Sequence, residues 1–138
     1  MAKVEKFEDL IIFQKARELC KEVYNATDNK QWKYDVRFMH QVHAAVGSIM
    51  DNIAEGFERD GNKEFKNFLY IAKGSCGEVR SQVIRATDLG YIDTATSQKL
   101  YNDCIVLNKS IATFIKSLRD SKLTGMKYME SESLKPET

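Results

Sequence analysis

The chain predicts an all-α fold, an antiparallel up-down four-helix bundle. Apolar residues recur at steps of three and four along four separate stretches. No stretch alternates with period two for long enough to argue a sheet, and the single proline, Pro136, sits in the tail where it breaks no helix. At 138 residues, 43% of them hydrophobic and 30% charged, the chain is long and apolar enough for one domain with a core that needs no staples. Residues 1–122 are assigned to the bundle. Residues 123–138 lose the periodicity, end in Ser, Glu, Lys and Pro, and are expected to be a partly disordered tail.

Phe7, Leu10, Phe13, Ala16, Leu19, Cys20 and Val23 place the first helix over residues 5–26. Thr27, Asp28 and Asn29 are turn formers, so a polar loop is expected through Lys33, with Tyr24 and Trp32 packing it onto the bundle end rather than stacking on bases. From about Tyr34, the series Phe38, Val42, Ala45, Ile49, Ile53 and Phe57 marks the second helix. Asp60, Gly61 and Asn62 then interrupt the pattern. Gly61 suits a left-handed conformation and Asn62 a helix cap, which predicts a tight reversal.

The third helix carries Phe65, Phe68, Leu69, Ala72, Cys76, Val79, Val83 and Ala86, and closes at Leu89-Gly90 with a C-terminal glycine. Asp93, Thr94 or Thr96 can cap the fourth, whose seam is Leu100, Cys104, Leu107, Ile111, Phe114 and Leu118. Tyr101, Ile105 and Ile115 widen that apolar face beyond what an isolated bundle needs, leaving a surplus that a subunit interface can use.

Composition narrows the function classes. MAKVEKFEDL is charged where a signal peptide needs an apolar core, and no apolar run reaches the length of a membrane span, so a cytoplasmic protein without a membrane partner is expected. Cys20, Cys76 and Cys104 are odd in number and set in apolar helical patterns, and read as reduced core thiols. Residues 1–60 carry nine basic and eleven acidic side chains, residues 61–127 eleven and six, and residues 128–138 one and three. The excess of positive charge in the second half suits contact with a polyanion, although a solvated helix surface also has such charges.

No catalytic constellation accompanies it. A di-iron bundle site needs Glu-x-x-His pairs, and neither His40 nor His43 has a Glu three residues before it. Those two histidines lack a third ligand and read as polar surface or interface groups. No phosphate-binding Gly loop, nucleophile elbow or His-Glu-x-x-His motif occurs, so no metal, cofactor or enzymatic activity is expected. Gln41, Ser48, Asn52, Glu55 and Arg59 recur at helical spacing as one polar stripe, faced by Ser75 and Glu78 on the next helix. Glu55 and Glu78 are the best acid-base candidates, but Asn52, Arg59, Ser75 and Arg80 can satisfy them in a structural polar network, and that reading is preferred. Gly47 and Gly74 cost helix propensity of up to about 1 kcal/mol each, which a close approach of neighbouring chains within or between subunits can offset.

The segment Ser48-Ile49-Met50-Asp51-Asn52-Ile53-Ala54-Glu55-Gly56, with Glu64-Phe65, Phe68-Leu69, Ile71-Ala72-Lys73-Gly74-Ser75 and Glu78, resembles the four-helix-bundle family of the 23S rRNA intervening-sequence protein, also called the S23 ribosomal protein family. Phe7-Glu8-Asp9-Leu10 and Gln14-Lys15-Ala16 are similar to that family's start, and the likeness extends over residues 7–118. Met50 stands where the family usually has a proline, which removes a helix kink. His43 stands where an arginine is usual, which weakens a nucleic-acid role there. The resemblance implies a homo-oligomer, a pentamer as in the related accessory variability proteins of diversity-generating retroelements, which bind nucleic acid and a reverse transcriptase through basic surfaces.

The expectation is therefore a non-enzymatic oligomeric bundle that binds RNA or DNA with little base specificity. Its contacts are expected from Lys63, Lys66, Lys73, Arg80, Arg85, Lys109, Lys116 and Arg119. The alternative is a protein-protein assembly or adaptor module whose basic residues only solvate it.

Overall fold

The computed structural model describes residues 4–120, and every regular element among them is helical. The tail expected over 123–138 lies outside the described residues. A 3-10 turn, Phe7–Asp9, precedes α1 (Ile11–Thr27), α2 (Lys30–Tyr34), α3 (Val36–Glu58), α4 (Asn62–Asp88) and α5 (Thr94–Asp120). The four long helices α1, α3, α4 and α5 form a ring of neighbours around one core. Residue pairings show opposite chain directions: Ser48 meets Ser75 across α3 and α4, and Gly56 meets Phe65 and Phe68. Across α4 and α5, Cys76 meets Cys104, Lys73 meets Asn108 and Asn62 meets Leu118.

The periodic apolar residues supply that core. Leu10, Val23, Ile49, Ile53, Phe57, Phe65, Leu69, Cys76, Val79, Leu107, Ile111 and Phe114 are all essentially closed to solvent. Each large side chain buried this way contributes about 1.5–3 kcal/mol relative to exposure. Cys20 is only half-buried, whereas Cys76 and Cys104 are buried, and all three are free thiols.

Two elements differ from the sequence expectation. The chain enters the first helix at Ile11 rather than residue 5, because the 3-10 turn folds Phe7 back edge-on to Phe13, with ring centroids 4.9 Å apart. Phe7 thus reaches the core without belonging to the helix. The loop expected through Lys33 holds the five-residue α2. A helix that short is marginal alone, and its anchor is Trp32, 1% exposed and packed against Phe38 and Tyr91. Asn29 organises the whole end: its Oδ1 accepts from the Trp32 amide at 2.9 Å, while its Nδ2 donates to the carbonyls of Ala26 and Tyr91. Asp35 similarly caps α3 through the Phe38 amide and accepts the Tyr91 hydroxyl at 2.8 Å.

The remaining corners follow local chemistry. Gly61 has φ 96°, as its left-handed position requires. Asn62, expected to cap α4, instead stands inside its first turn, after Gly61 at the cap position, and donates across the bundle to the Leu118 carbonyl at 3.3 Å. Gly90 has φ 75°, and the Tyr91 amide closes back onto the Ala86 carbonyl at 2.9 Å, a Schellman ending for α4. Asp93 is the side chain that caps α5, accepting from the Thr96 amide at 2.7 Å.

Candidate functional site

Lys66, Lys73 and Arg80 stand seven residues apart on α4, so they share one flank of the helix at intervals of about 10.5 Å. That flank borders α5. Arg80 lies over the Tyr101 ring, its guanidinium carbon 5.9 Å from the centroid, and Asn108 Nδ2 donates to the Lys73 carbonyl at 3.4 Å. Tyr70, one turn beyond Lys66, and Ile84, one turn beyond Arg80, are each about half exposed on the same side. Across the seam, Lys109 and Lys116 are exposed one heptad apart on α5, and Arg119 follows.

Most of the ion pairs lie elsewhere. Among the described residues the ion pairs join Lys21 to Glu18, Lys33 to Asp28, Arg59 to Glu55, and Lys99 to both Glu22 and Asp103. Among the described residues, Arg119 alone of the eight expected contact residues has an acidic partner within 4 Å, its neighbour Asp120. Between Asp103 and Asp120 the α5 sequence has no acidic residue, and between Glu64 and Asp88 the α4 sequence has only Glu78. Lys66, Lys73, Arg80, Lys109 and Lys116 therefore have no ion-pair partner among the described residues.

Not all eight cations share the α4/α5 face. Arg85 turns toward α3, its guanidinium carbon 4.4 Å from the centroid of Phe38. Lys63 is exposed in the first turn of α4, one heptad before Tyr70, and so lies with Tyr70 at the outer edge of the row. The tyrosines and Asn108 were absent from the expected contact set. Their signal in the sequence is spacing: Tyr70 and Ile84 sit four residues from a member of the Lys-Lys-Arg heptad.

The polar stripe of α3 separates into pieces. Asn52 Nδ2 donates to both the Ser48 carbonyl and Ser48 Oγ, and Ser48 Oγ meets Ser75 Oγ at 2.9 Å. Glu55 pairs with Arg59 at 3.0 Å on the exposed surface, while Glu78 accepts from Gln82 Nε2 at 3.4 Å. Antiparallel packing with Ser48 level with Ser75 puts Glu55 and Glu78 about 15 Å apart along the bundle. They are not a carboxylate pair. Gln41, Ser48, Ser75, Glu78, Gln82 and Arg85 line a groove of about 400 Å³ between α3 and α4, and the Oε1 of Gln82, a residue 2% exposed, has no hydrogen-bond partner. No group of three or more His, Cys, Asp or Glu that could hold a metal ion occurs among the described residues, and none of their helices is long and apolar enough to cross a membrane.

His43 ties α1 to α3. Its ring stacks on Tyr24 at 3.8 Å, and Nε2 lies 2.8 Å from Thr27 Oγ1. Thr27 gives its proton to the Tyr24 carbonyl, so the geometry suits a neutral ring with the proton on Nε2. Burial, and then the nearby His40, hold His43 below its ordinary value of 6.5. The unfolded chain therefore binds this proton more readily. The stabilisation is complete above the unfolded value and is lost as pH falls through the lower folded value. Urea unfolding at neutral pH and at mildly acidic pH should show a smaller acid loss in His43→Gln than in the parent chain.

The model of the 23S rRNA-intervening sequence protein family matches residues 8–113. No curated protein matches. A crystal structure of a protein of unknown function from the S23 ribosomal protein family of Bacteroides thetaiotaomicron VPI-5482 superposes with a TM-score of 0.71 at 23% identity, covering 77% of this chain and 99% of that one, and shows the same fold. The chain thus belongs to the 23S rRNA-intervening sequence protein family.

Proposed function

We propose that this protein binds RNA or DNA without catalysis, along the α4/α5 face. The observation that carries this reading is the row of Lys66, Lys73 and Arg80, without acidic partners among the described residues and flanked by Tyr70 and Tyr101. A stiff helix with cations at regular intervals neutralises phosphates and releases their counterions. Side chains that read base edges are scarce there, since Asn108 is committed to a backbone carbonyl, so contacts go to the backbone and sequence selectivity is low. Anisotropy with a labelled RNA should show affinity falling about 10²- to 10³-fold from roughly 50 to 200 mM salt, as four to five phosphate contacts require. No binding at the lower salt, or binding indifferent to salt, excludes this reading.

A second reading, homo-oligomeric assembly, is favoured by the α3/α4 groove. An added Cβ at Gly74, beside Ser75 at its edge, meets nothing within 4 Å, so packing inside this chain does not require that glycine. The orphaned Gln82 oxygen beneath it calls for a donor that a second copy can bring. Light scattering decides it: an oligomer that Gly74→Leu converts to monomers supports this face, and a monomeric parent chain rules it out.

A further inference from the structure

We propose that Cys76 and Cys104 are a redox-responsive pair, which a hydroperoxide converts into a disulfide fastening α4 to α5 beneath the cation row. The two residues face each other across the seam, 0% and 1% exposed, with Cys76 Sγ 3.3 Å from the Cys104 carbonyl oxygen. Cys76 lies three residues after Lys73 and four before Arg80, and Cys104 lies four before Asn108, so the pair sits under the interhelical contact of Lys73 and Asn108. Packing alone asks only for small apolar groups here, and Ala or Val satisfies that without a thiol. The Cys76 sulfur thus rests against the Cys104 backbone at one level of an antiparallel helix pair, the juxtaposition that a disulfide between the two residues needs first.

The environment divides the roles. The Cys104 thiol, able to hydrogen-bond an ionised Cys76 sulfur, holds Cys76 below its ordinary value against burial, assisted by Arg80 and Lys73. Cys104 is held above its ordinary value by that same hydrogen bond and by burial. Cys76, with Lys73 and Arg80 one helical turn to either side of it on α4, is assigned as the attacking sulfur. Its sulfur takes the terminal peroxide oxygen: an S–O bond forms, the O–O bond breaks, and the released oxyanion leaves with the thiol proton as water or an alcohol. The Cys104 sulfur then attacks the Cys76 sulfenic sulfur. The S–S bond forms, the S–O bond breaks, and the departing hydroxide takes the Cys104 proton as water. The thiols lose two electrons and the peroxide gains two. Cys20, half-buried on α1 and held above its ordinary value by burial and Asp51, stands apart from the pair.

Burial makes the reaction wait for the seam to open, so it is slow compared with that of an exposed thiol. The test exposes the intact chain to millimolar hydrogen peroxide, blocks remaining thiols after unfolding, and maps tryptic peptides. Two of the three thiols should disappear, the chain should lose the mass of two hydrogens, and one cross-link should join residues 74–80 to residues 100–109, reversibly with dithiothreitol. Cys20→Ser should behave identically. Survival of the Cys76 and Cys104 thiols, or their separate oxidation without a cross-link, overturns the proposal. In Cys104→Ser, whose hydroxyl keeps a donor beside Cys76 but cannot close a disulfide, Cys76 should be captured by dimedone as a sulfenic acid; failure to capture it overturns the assignment of Cys76 as the attacking sulfur.

Discussion

Gly56→Val should destabilise the fold by about 3 kcal/mol or more, near the upper end of what overpacking costs. Gly56 is buried in the last turn of α3, where an added Cβ meets Phe68 Cβ at 2.7 Å, Phe65 Cδ1 at 2.9 Å and the Phe65 carbonyl at 3.4 Å. Phe68 Cβ is fixed to the α4 backbone, so it moves only if the helix moves. Phe65 has no room either, being closed to solvent and edge-on to both Phe57 and Phe114, at 6.0 and 5.5 Å between centroids. Alanine gains about 1 kcal/mol in helix propensity over glycine, less than the roughly 1–3 kcal/mol that displacing this cluster costs. Gly74→Ala is the matched control. It has the same propensity gain and no neighbour within 4 Å, so it should stabilise the monomer by about 0.5–1 kcal/mol. Urea denaturation of the two variants separates them; an unchanged midpoint for Gly56→Val refutes the close approach.

The same glycines show how much the sequence discloses. Helix propensity marks Gly47 and Gly74 as costly, but a cost in sequence does not say which neighbour justifies it. Both have open space around an added Cβ, and among the described helical glycines the one whose neighbours exclude a Cβ is Gly56. What separates them is the meeting of α3 with the Phe65-Phe68 turn of α4, a contact between residues set by the angle of the reversal at Gly61. Periodicity made the four long helices legible, because burial of one helical face imposes its own repeat. α2 has no room for a repeat in five residues, and its stability comes from Trp32 and the Asn29 cap, which are tertiary features. Asn62 is another case: local chemistry suits it to a cap, but Gly61 takes the cap position, and Asn62 begins the helix with its Nδ2 donating to the Leu118 carbonyl of α5. Within the candidate site, the heptad of cations is plain in the sequence, whereas the turning of Arg85 toward Phe38 depends on where α3 lies.

Reversing the heptad, Lys66→Glu with Lys73→Glu and Arg80→Glu, should weaken binding of a labelled RNA about 10³-fold at near-physiological salt and flatten the salt slope by about 2 to 3. Each cation that meets a phosphate contributes about 0.7–0.9 to that slope, so three lost contacts set the size of the change. The three side chains are partly buried and outside any ion pair among the described residues, so replacing them leaves no charged partner unpaired. Only Arg80 has a packing role, over Tyr101, and loss of that exposed contact costs about 0.5–1 kcal/mol. A variant with Arg17, Lys30 and Arg37 changed to Glu carries the same net charge with its changes on α1, α2 and the start of α3, all exposed. If net charge alone governs association, the two variants weaken equally. If the α4/α5 face is the docking surface, the control keeps most of the affinity and nearly all of the slope, because long-range attraction is largely screened beyond about 8–10 Å at this salt. The slope is the decisive readout, since it counts phosphates at the surface while affinity also responds to any shift in folding.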